Sequence, residues 1–416
     1  MKACIIAVGS EMLTPFRVDT NSLFITERLN EIGVDVRVKL VVADDVEELA
    51  ELLRGALTWA DVITTTGGLG PTEDDITRDA VARMLRVPLE IDTAIVARIR
   101  ERFARRGLTM PSINQRQAMV PAGATVLPNA HGTAPGLWIE HGRAAIVLLP
   151  GPPREMKPMF DAVVRERLAP RTGGARLFRR VVRITGRTES DVDAHAEPVY
   201  RHWIAMPVPI STTILAVLGQ IELHLTARAP DLAEGAAALD LAVAELQAVL
   251  GDSVYSVDGR QLEAVVGDLL RSHRLKIAVS ESCTGGLLAS RLTDIPGSSD
   301  YFDRGVVCYS NRAKIELLGV PEALIAEHGA VSEPVARAMA DAIRRQAGSD
   351  VGIGVTGIAG PGGGSAQKPV GTVAVAMATD RAERARTFQF AGARDQVKFQ
   401  AAQAALNLLR LMLISK

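Results

Sequence analysis

Short runs of apolar, largely β-branched residues alternate along the chain with longer stretches whose apolar positions recur every three to four residues. The runs that predict buried strands in the first part of the chain are residues 3–8, 34–42, 61–66 and 144–149. Between them, residues 46–57 and 76–85 have the amphipathic spacing of helices. This alternation is typical of βαβ units, so the pattern predicts an α/β fold with mostly parallel sheets.

The same pattern divides the chain into three parts. Residues 1–170 form a first α/β series, which ends at a Pro-, Gly- and Arg-rich stretch. Residues 176–251 contain strand-like runs at 178–185 and 221–227, followed by an Ala-rich helix at 232–250. A second α/β series occupies residues 258–416. We therefore expect two α/β domains with mostly parallel sheets, joined by a small α+β domain.

Composition narrows the class of protein. The chain has 416 residues, of which 47% are hydrophobic and 23% charged, so disordered and fibrous classes are excluded. A formal net charge of −1 offers no chain-wide attraction to nucleic acid or to an anionic membrane, and no apolar run approaches the ~18 residues that span a bilayer. Three cysteines provide neither a disulfide framework nor a clustered zinc site. We expect a cytoplasmic protein without membrane or nucleic-acid partners.

A glycine-rich turn follows the predicted strand at 61–66, with the sequence GGLGPTEDDIT at positions 67–77. Such a turn lets backbone N–H groups approach an anion at a helix N-terminus. The carboxylates of Asp74 and Asp75 would repel a phosphate unless a divalent cation lay between them, and Asp44 follows another strand to the same sheet edge. The simpler alternative is that Thr72 and the acids only cap the helix.

The stretch TTGGLGPTEDDITRDA resembles the molybdopterin-cofactor-biosynthesis type of domain at the front of the CinA (competence/damage-inducible protein A) family. Further matching stretches are GSE at 9–11, DTN at 19–21, NQRQA at 114–118, GTAPG at 132–136 and LPGPP at 149–153. The resemblance implies an ADP-ribose pyrophosphatase that uses Mg²⁺ or Mn²⁺, with Co²⁺ as a further option. It places Asp44, Asp74 and Asp75 at the metal and makes Asp75 catalytic.

The resemblance also implies a set of residues at the nucleotide. These are Glu11, Asp19, Asn21, Gly67, Gly68, Gly70, Thr72, Asn129, Gly132, Thr133, Pro150 and Gly151. Between Glu11 and Asp19 the usual Gly-containing stretch is replaced by MLTPFR at 12–17, which we expect to reshape the pocket.

The middle part carries a basic run. Residues 165–187 include eight arginines and one acid, Glu166, and the middle segment of the family resembles a KH-type fold. The RNA-clamping GxxG loop of KH domains is missing from the sequence here, where the nearest match is TGRT at 185–188. We therefore interpret residues 176–251 as a KH-like spacer or dimerisation element with a solvated arginine face.

A second turn of small residues, ESCTGG at 281–286, lies between a predicted strand at 276–279 and a helix at 287–292. Such a turn presents a nucleophile near helix N–H groups that stabilise an oxyanion. Ser282 and Cys283 are both candidates, although a serine here is also an ordinary N-cap. A neutral Lys314, oriented by Tyr309, would serve as the base. With a further glycine loop at 356–365, the pattern predicts amide hydrolysis on a phosphorylated small molecule.

The stretches ESCTGG, GVVCYSNRAK, GAVSEPVARAMA and GVTGIAGPGGG resemble the CinA C-terminal domain, a nicotinamide-mononucleotide amidohydrolase fold. The resemblance implies that Ser282, Tyr309 and Lys314 carry out deamidation without a cofactor. The residues that it places at the substrate are Glu281, Thr284, Gly285, Gly286, Asn311, Thr356, Gly357, Gly360 and Arg394.

Taken together, the sequence predicts a homodimeric enzyme of pyridine-nucleotide salvage that acts on nicotinamide mononucleotide and ADP-ribose. One alternative is that the first domain only binds a nucleotide or pterin as a regulatory module. Another is that the chain is an accessory protein of DNA uptake or repair, against which the balanced charge counts.

Overall fold

The computed structural model describes residues 1–174 and 176–415 and divides into two compact units. Unit 1 comprises Met1–Phe178 with Ala227–Ala237, and unit 2 comprises Arg179–Thr226 with the chain from Ala238 onward. The elements of residues 176–251 are thus shared between the two units. The three-part division expected from the sequence stays a prediction.

Unit 1 is built on a six-stranded sheet with helices on both faces. Its strands are β1 Lys2–Val8, β2 Asp35–Val42, β3 Val62–Thr66, β4 Leu89–Ile91, β5 Met119–Pro121, β6 Thr125–Leu127, β7 Gly136–His141 and β8 Ala144–Leu149. Its helices are α1 Thr20–Glu31, α2 Val46–Leu57, α3 Thr77–Leu85, α4 Thr93–Ala104 and α5 Pro153–Val163.

The order of the main sheet is β2-β1-β3-β8-β7-β6. Strands β2, β1, β3 and β8 are mutually parallel, β7 is antiparallel to β8, and β6 is antiparallel to β7. Side chains of β1 alternate between two cores: Cys4 and Ile6 pack in one, and Ala3 and Ile5 in the other. Both faces of the central strands are therefore buried, which explains their continuous apolar runs. The parallel α/β architecture expected from the sequence is confirmed.

The middle of the chain forms a four-stranded sheet with two helices. Its elements are β9 Arg176–Ile184, α6 Glu189–Tyr200, β10 Ile210–Val217, β11 Gln220–Ala229, α7 Leu232–Leu250 and β12 Val254–Ser256, with strand order β10-β11-β9-β12. The Ala-rich helix has the bounds expected, whereas α6 and β10 were missing from the sequence-based prediction. The likeness to a KH domain stays a prediction.

The arginine run at 165–187 is less solvated than its sequence indicates. Five of its eight arginines pair with carboxylates, as in the contacts Arg171–Glu140, Arg180–Asp240 and Arg183–Glu222. Arg167 and Arg171 also lie over the ring of buried Trp138. Tertiary partners distant in sequence thus neutralise much of the charge that the linear run displays.

The last part of the chain forms a five-stranded sheet of order β14-β13-β15-β16-β17. Its strands are β13 Ile277–Glu281, β14 Phe302–Val307, β15 Val351–Gly357, β16 Thr372–Ala378 and β17 Glu383–Gln389. Its helices are α8 Leu262–His273, α9 Leu287–Thr293, α10 Asn311–Leu318, α11 Glu322–His328, α12 Glu333–Ala347 and α13 Arg394–Ile414. Because β13 is parallel to both β14 and β15, the carboxyl ends of these three strands meet at one edge. Within residues 1–174 and 176–415, no helix combines the length and apolarity needed to cross a bilayer.

Candidate functional sites

Ser282 and Lys314 meet at the carboxyl edge of the second sheet. Ser282 directly follows β13, and Lys314 lies in the first turn of α10, which follows the neighbouring strand β14. The Nζ of Lys314 lies 3.0 Å from the Oγ of Ser282, and both residues are buried, with 1% and 6% of their surfaces exposed. The backbone N–H of Ser282 donates to the carbonyl of Val355 and fixes the turn to β15. The structure thus brings the expected nucleophile and base into contact.

The surroundings of the Lys314 amine favour its neutral form. Burial lowers the pKa of Lys314 below its ordinary value, because taking an ammonium out of water disfavours the charge. Its nitrogen also lies 3.1 Å from the carbonyl oxygen of Cys308 and 3.4 Å from that of Tyr309. A neutral amine has two N–H donors and one lone pair, so it can donate to both carbonyls and accept the hydroxyl proton of Ser282.

Cys283, the rival nucleophile, points the other way. It is 4% exposed and packs in the apolar core, where burial raises the pKa of its thiol to about 12. A β-carbon placed on Gly357 would lie 2.8 Å from its Sγ, so the sulfur rests against the backbone of β15. At neutral pH this thiol stays protonated, and its position indicates a packing role.

Glu281 holds the start of α9. It is 1% exposed, and its carboxylate accepts the backbone N–H groups of Gly286, Leu288 and Ala289 at 3.0, 3.0 and 2.8 Å. These are amide groups that the sequence analysis assigned to an oxyanion or a phosphate. The geometry makes Glu281 an anchor of the helix, because it is buried and three of its roughly four acceptor sites are used by the chain. Its expected contact with the substrate stays a prediction.

Tyr309 and Arg394 form a second polar pair beside the serine. The side chain of Tyr309 is 57% exposed, and its hydroxyl accepts a hydrogen bond of 2.6 Å from Arg394. The same guanidinium donates to the carbonyl of Gly360 in the glycine loop, also at 2.6 Å. Lys314 is contacted by the carbonyl of Tyr309. In this structure Tyr309 contacts Lys314 through its backbone carbonyl and Arg394 through its hydroxyl, and its expected role in catalysis stays a prediction.

The other residues expected at this substrate differ in accessibility. Thr284 is buried, and its Oγ1 has no hydrogen-bond partner in the described part of the chain. The hydroxyl of buried Thr356 donates to the carbonyl of Ala330, so it braces a loop. Gly285 and Asn311 are exposed, whereas Gly286 and Gly357 are half-buried. Lys398, which no motif of the sequence indicated, also lies here: its Nζ is 3.7 Å from where a β-carbon on Gly285 would stand.

Unit 1 contains a cavity of about 440 Å³ at the carboxyl edge of its sheet. The expected residues that line it are Glu11, Asp19, Asn21, Asp44, Gly67, Gly68, Gly70, Asp74, Asp75, Thr133, Pro150 and Gly151. The structure therefore assembles most of the predicted nucleotide site from distant segments. Met12, from the stretch that replaces the usual glycine, also lines the cavity, as do Gln117 and Glu155, which the sequence analysis did not single out as site residues.

The glycine turn of this cavity is held from both sides. The carboxylate of Asp75 accepts the N–H groups of Gly70 and Thr72 and the Thr72 hydroxyl, at 2.6, 2.8 and 2.6 Å. Buried Arg78 donates to the carbonyls of Leu69 and Gly70, and burial lowers its pKa to about 10. These contacts fix the turn. They also engage the N–H groups of Gly70 and Thr72 with Asp75, although the N–H groups of this turn were expected to bind phosphate. Thr72 belongs to this internal network and is absent from the cavity lining.

Gly67 is required by packing as well as by conformation. Its φ is +106°, and a β-carbon there would lie 2.2 Å from the carbonyl oxygen of Val8. Nearby, Asn21 donates to the hydroxyl of Thr66 and to the carbonyl of Gly151, at 2.9 and 2.7 Å. These contacts draw the ends of β1, β3 and β8 together around the cavity.

Asn129 and Gly132 lie on the far side of one cavity wall. The Asn129 amide group donates to Ala134 and to the carboxylate of Glu155, and its oxygen accepts the N–H groups of His131 and Gly132. Asn129 thus shapes the loop that carries Thr133. Neither Asn129 nor Gly132 is among the residues that line the 440 Å³ cavity.

The acidic residues of unit 1 offer few ligands for a divalent ion. Within residues 1–174 and 176–415, no three His, Cys, Asp or Glu side chains converge closely enough to hold one. Asp44 accepts the N–H of Ser10, while Asp44 and Asp74 both line the cavity. Two carboxylates with hard oxygens fit the way Mg²⁺ is usually held, by one or two carboxylates together with phosphate oxygens.

Two family models match the chain: the CinA C-terminal domain at residues 259–413 and a probable molybdopterin binding domain at residues 4–170. A CinA-like protein of Koribacter versatilis is 46% identical over 422 residues, covering 100% of both chains. A CinA-like protein of Solibacter usitatus is 44% identical, covering 100% of this chain and 99% of the relative. The crystal structure of the protein CinA with unknown function from Thermoplasma acidophilum matches with 34% sequence identity and a TM-score of 0.38. The match covers 40% of this chain and 98% of that chain.

Proposed function

Because this chain belongs to the CinA family and carries a molybdopterin-binding-like domain, we propose that its C-terminal part hydrolyses the carboxamide of nicotinamide mononucleotide. The products are nicotinate mononucleotide and ammonia. The observation that carries this proposal is the 3.0 Å contact between the buried amine of Lys314 and the hydroxyl of Ser282. A nucleophile in hydrogen-bond contact with a base of lowered pKa is the arrangement that covalent amide hydrolysis needs.

In the proposed reaction, neutral Lys314 accepts the hydroxyl proton while Ser282 Oγ bonds to the carboxamide carbon. The carbonyl oxygen becomes an oxyanion, and the protonated lysine then gives its proton to the departing nitrogen, which leaves as ammonia. Water attacks the resulting ester by the reverse proton path, which restores Ser282 and releases the carboxylic acid; its proton passes to ammonia or solvent, which leaves the carboxylate. Each step conserves protons between Ser282, Lys314, water and the leaving group.

The exposed groups beside Ser282 are suited to an anionic substrate. The guanidinium of Arg394 and the amine of Lys398 lie on α13, one helical turn apart, on the side of the ESCTGG turn and the glycine loop. We assign the phosphate of the mononucleotide to this positive pair. In this assignment Tyr309 positions Arg394, while the reaction itself belongs to Ser282 and Lys314.

For unit 1 we propose cleavage of ADP-ribose to AMP and ribose 5-phosphate in the 440 Å³ cavity. Asp44 and Asp74 would hold a divalent ion, which when bound neutralises charge on the pyrophosphate. The chain itself contributes the fixed glycine turn and Asn21, which is held by its hydrogen bonds to Thr66 and Gly151; both orient the nucleotide. Asp75 and Arg78 keep the turn in place.

A second candidate for unit 1 is nucleotide or pterin binding without catalysis. It is favoured by the engagement of Asp75 with its own loop and by the lack of a three-ligand acidic cluster among the residues described. Incubating the protein with nicotinamide mononucleotide and ADP-ribose, with and without chelator, separates the candidates. Metal-dependent AMP release supports catalysis, whereas ADP-ribose binding without AMP release supports a binding module. Absence of ammonia release from nicotinamide mononucleotide would overturn the deamidase proposal.

A further inference from the structure

Three arginines form one face of α4 in unit 1. Arg98 and Arg102 lie on α4, and Arg105 directly follows its last residue with helical backbone angles; the spacing of four and three residues places the three side chains on the same side. They line a cavity of about 300 Å³ that is distinct from the 440 Å³ cavity. The opposite wall is the loop from Asn129 to Thr133.

The positive charge in this cavity is only partly balanced. Arg105 pairs with Glu101, and Arg102 donates to the carbonyls of residues 130, 131 and 132, which carry no net charge. Within the described residues, Arg98 forms no salt bridge, and its Nη2 is buried without a hydrogen-bond partner. A guanidinium N–H without an acceptor from the described chain is available to donate to a group that enters the cavity.

The arginine cavity adjoins the candidate nucleotide site. Thr133 lines both cavities, and its hydroxyl accepts a hydrogen bond of 3.1 Å from Gln117 on the nucleotide side. Arg102 on one side and Asn129 within the loop hold the backbone of residues 130–132 between the two cavities. An anion beside Arg98 would therefore be separated from the nucleotide cavity by a single braced loop.

We propose that the cavity lined by Arg98, Arg102 and Arg105 is a binding site for a phosphoryl group. Arginine forks match the oxygens of phosphate, and three arginines against the one carboxylate of Glu101 leave the lining with a net positive charge that favours an anion. The phosphoryl group has two sources with the same chemistry: free inorganic phosphate, or a phosphate of the molecule that occupies the adjoining cavity. The site itself stands on the geometry of unit 1, and only the second source rests on the proposed binding of ADP-ribose in the adjoining cavity.

The test is calorimetric titration of the full-length protein with inorganic phosphate in metal-free buffer of low ionic strength. Arg98→Gln removes the charge with the unpartnered nitrogen, and Arg100→Gln is the matched control because Arg100 is exposed on the same helix, outside the cavity. We expect phosphate to bind at least ~10-fold more weakly to Arg98→Gln and within about 2-fold of wild type to Arg100→Gln. Arg105→Gln provides a second variant should Arg98→Gln fail to give a native circular-dichroism spectrum.

Repeating the titration with saturating ADP-ribose separates the sources. Retained phosphate binding that still depends on Arg98 assigns the site to free phosphate. Displacement by ADP-ribose, together with weaker ADP-ribose binding in Arg98→Gln, assigns it to a phosphate of that ligand. The proposal is overturned if wild type binds no phosphate, or if the folded arginine variants bind phosphate as wild type does.

Discussion

The amine of Lys314 and the hydroxyl of Ser282 lie 3.0 Å apart although 32 positions separate them in the chain. The contact exists because β13 and β14 run parallel as neighbours, so the segments that follow them emerge at the same edge of the sheet. A lysine buried at this edge is held by two backbone carbonyls and the serine, and by no carboxylate within the described residues. The proposed chemistry depends on this environment.

Replacing Ser282 should abolish deamidation, whereas replacing Cys283 should not. We expect Ser282→Ala to lose at least ~10²-fold in the rate of ammonia release, since it removes the atom that bonds to the substrate. Cys283→Ala should retain most of the activity, because its sulfur lies in the core. Ammonia release by the two variants, each checked for its thermal midpoint, measures this. An active Ser282→Ala with an inactive, folded Cys283→Ala would reverse the assignment.

Lys314→Arg should be nearly inactive although the variant keeps a positive charge. A guanidinium does not deprotonate at accessible pH, so it cannot accept the proton of Ser282. Deamidase assays in saturating substrate measure the effect, with Lys276→Arg as a control at an exposed lysine of the same unit. A rate close to wild type in Lys314→Arg would show that the lysine only binds substrate.

Lys314 should also make stability depend on pH. Its pKa is lowered in the folded protein, so between that value and the unfolded pKa of about 10.4 the unfolded chain holds more protons. The free energy of unfolding should therefore rise with pH across this window, by up to about 1.4 kcal/mol per pH unit, relative to Lys314→Met. Urea unfolding of both proteins at several pH values gives the difference between their free energies of unfolding. Thiols with a raised pKa, such as Cys308, make an opposing contribution that is present in both proteins and cancels in this difference. A difference that is flat or falls with pH would contradict the lowered pKa.

A chelator should affect the proposed activity of unit 1 and not that of unit 2. The 440 Å³ cavity is lined by Asp44 and Asp74, whereas the serine site is built from a lysine and backbone carbonyls. A chelator should therefore abolish AMP release from ADP-ribose and leave ammonia release unchanged, and added Mg²⁺ or Mn²⁺ should restore the former. The two products are quantified separately by chromatography and by an ammonia assay. Loss of both activities together would disprove the two-site proposal.

Glu281→Gln should lower both stability and turnover. The amide loses the charge that accepts three N–H groups, so we expect the free energy of unfolding to fall by about 2 kcal/mol. Because Ser282 adjoins this anchor, kcat for deamidation should fall with it. The control is Glu322→Gln, at an exposed helix N-terminus in the same unit, which should stay within about 0.5 kcal/mol. A rise in KM alone, with unchanged stability, would instead make Glu281 a substrate contact.

Many of the elements, and the segments that form each site, could be predicted from the sequence. Strand β8 and helices α2 and α7 have the bounds expected from the sequence. A strand that is buried on both faces is a continuous apolar run, and a helix that is buried along one stripe has apolar residues every three to four positions, so both leave a local pattern. The glycine turns at 67–70 and 281–286 were identifiable for a similar reason, since small residues between strand and helix are a local signal. Parallel topology then placed these turns at one edge of their sheets.

What each polar side chain does within those segments depends on tertiary packing. Asp75 and Glu281 turn back onto the amide groups of their own turns, and Cys283 faces the core while Ser282 faces Lys314. No local pattern separates these roles, because neighbouring residues of a turn point in different directions. In addition, Lys314, the partner of Ser282, lies 32 positions further along the chain. The burial that lowers the pKa of Lys314 likewise arises from the tertiary packing around α10, which spacing along the chain does not encode.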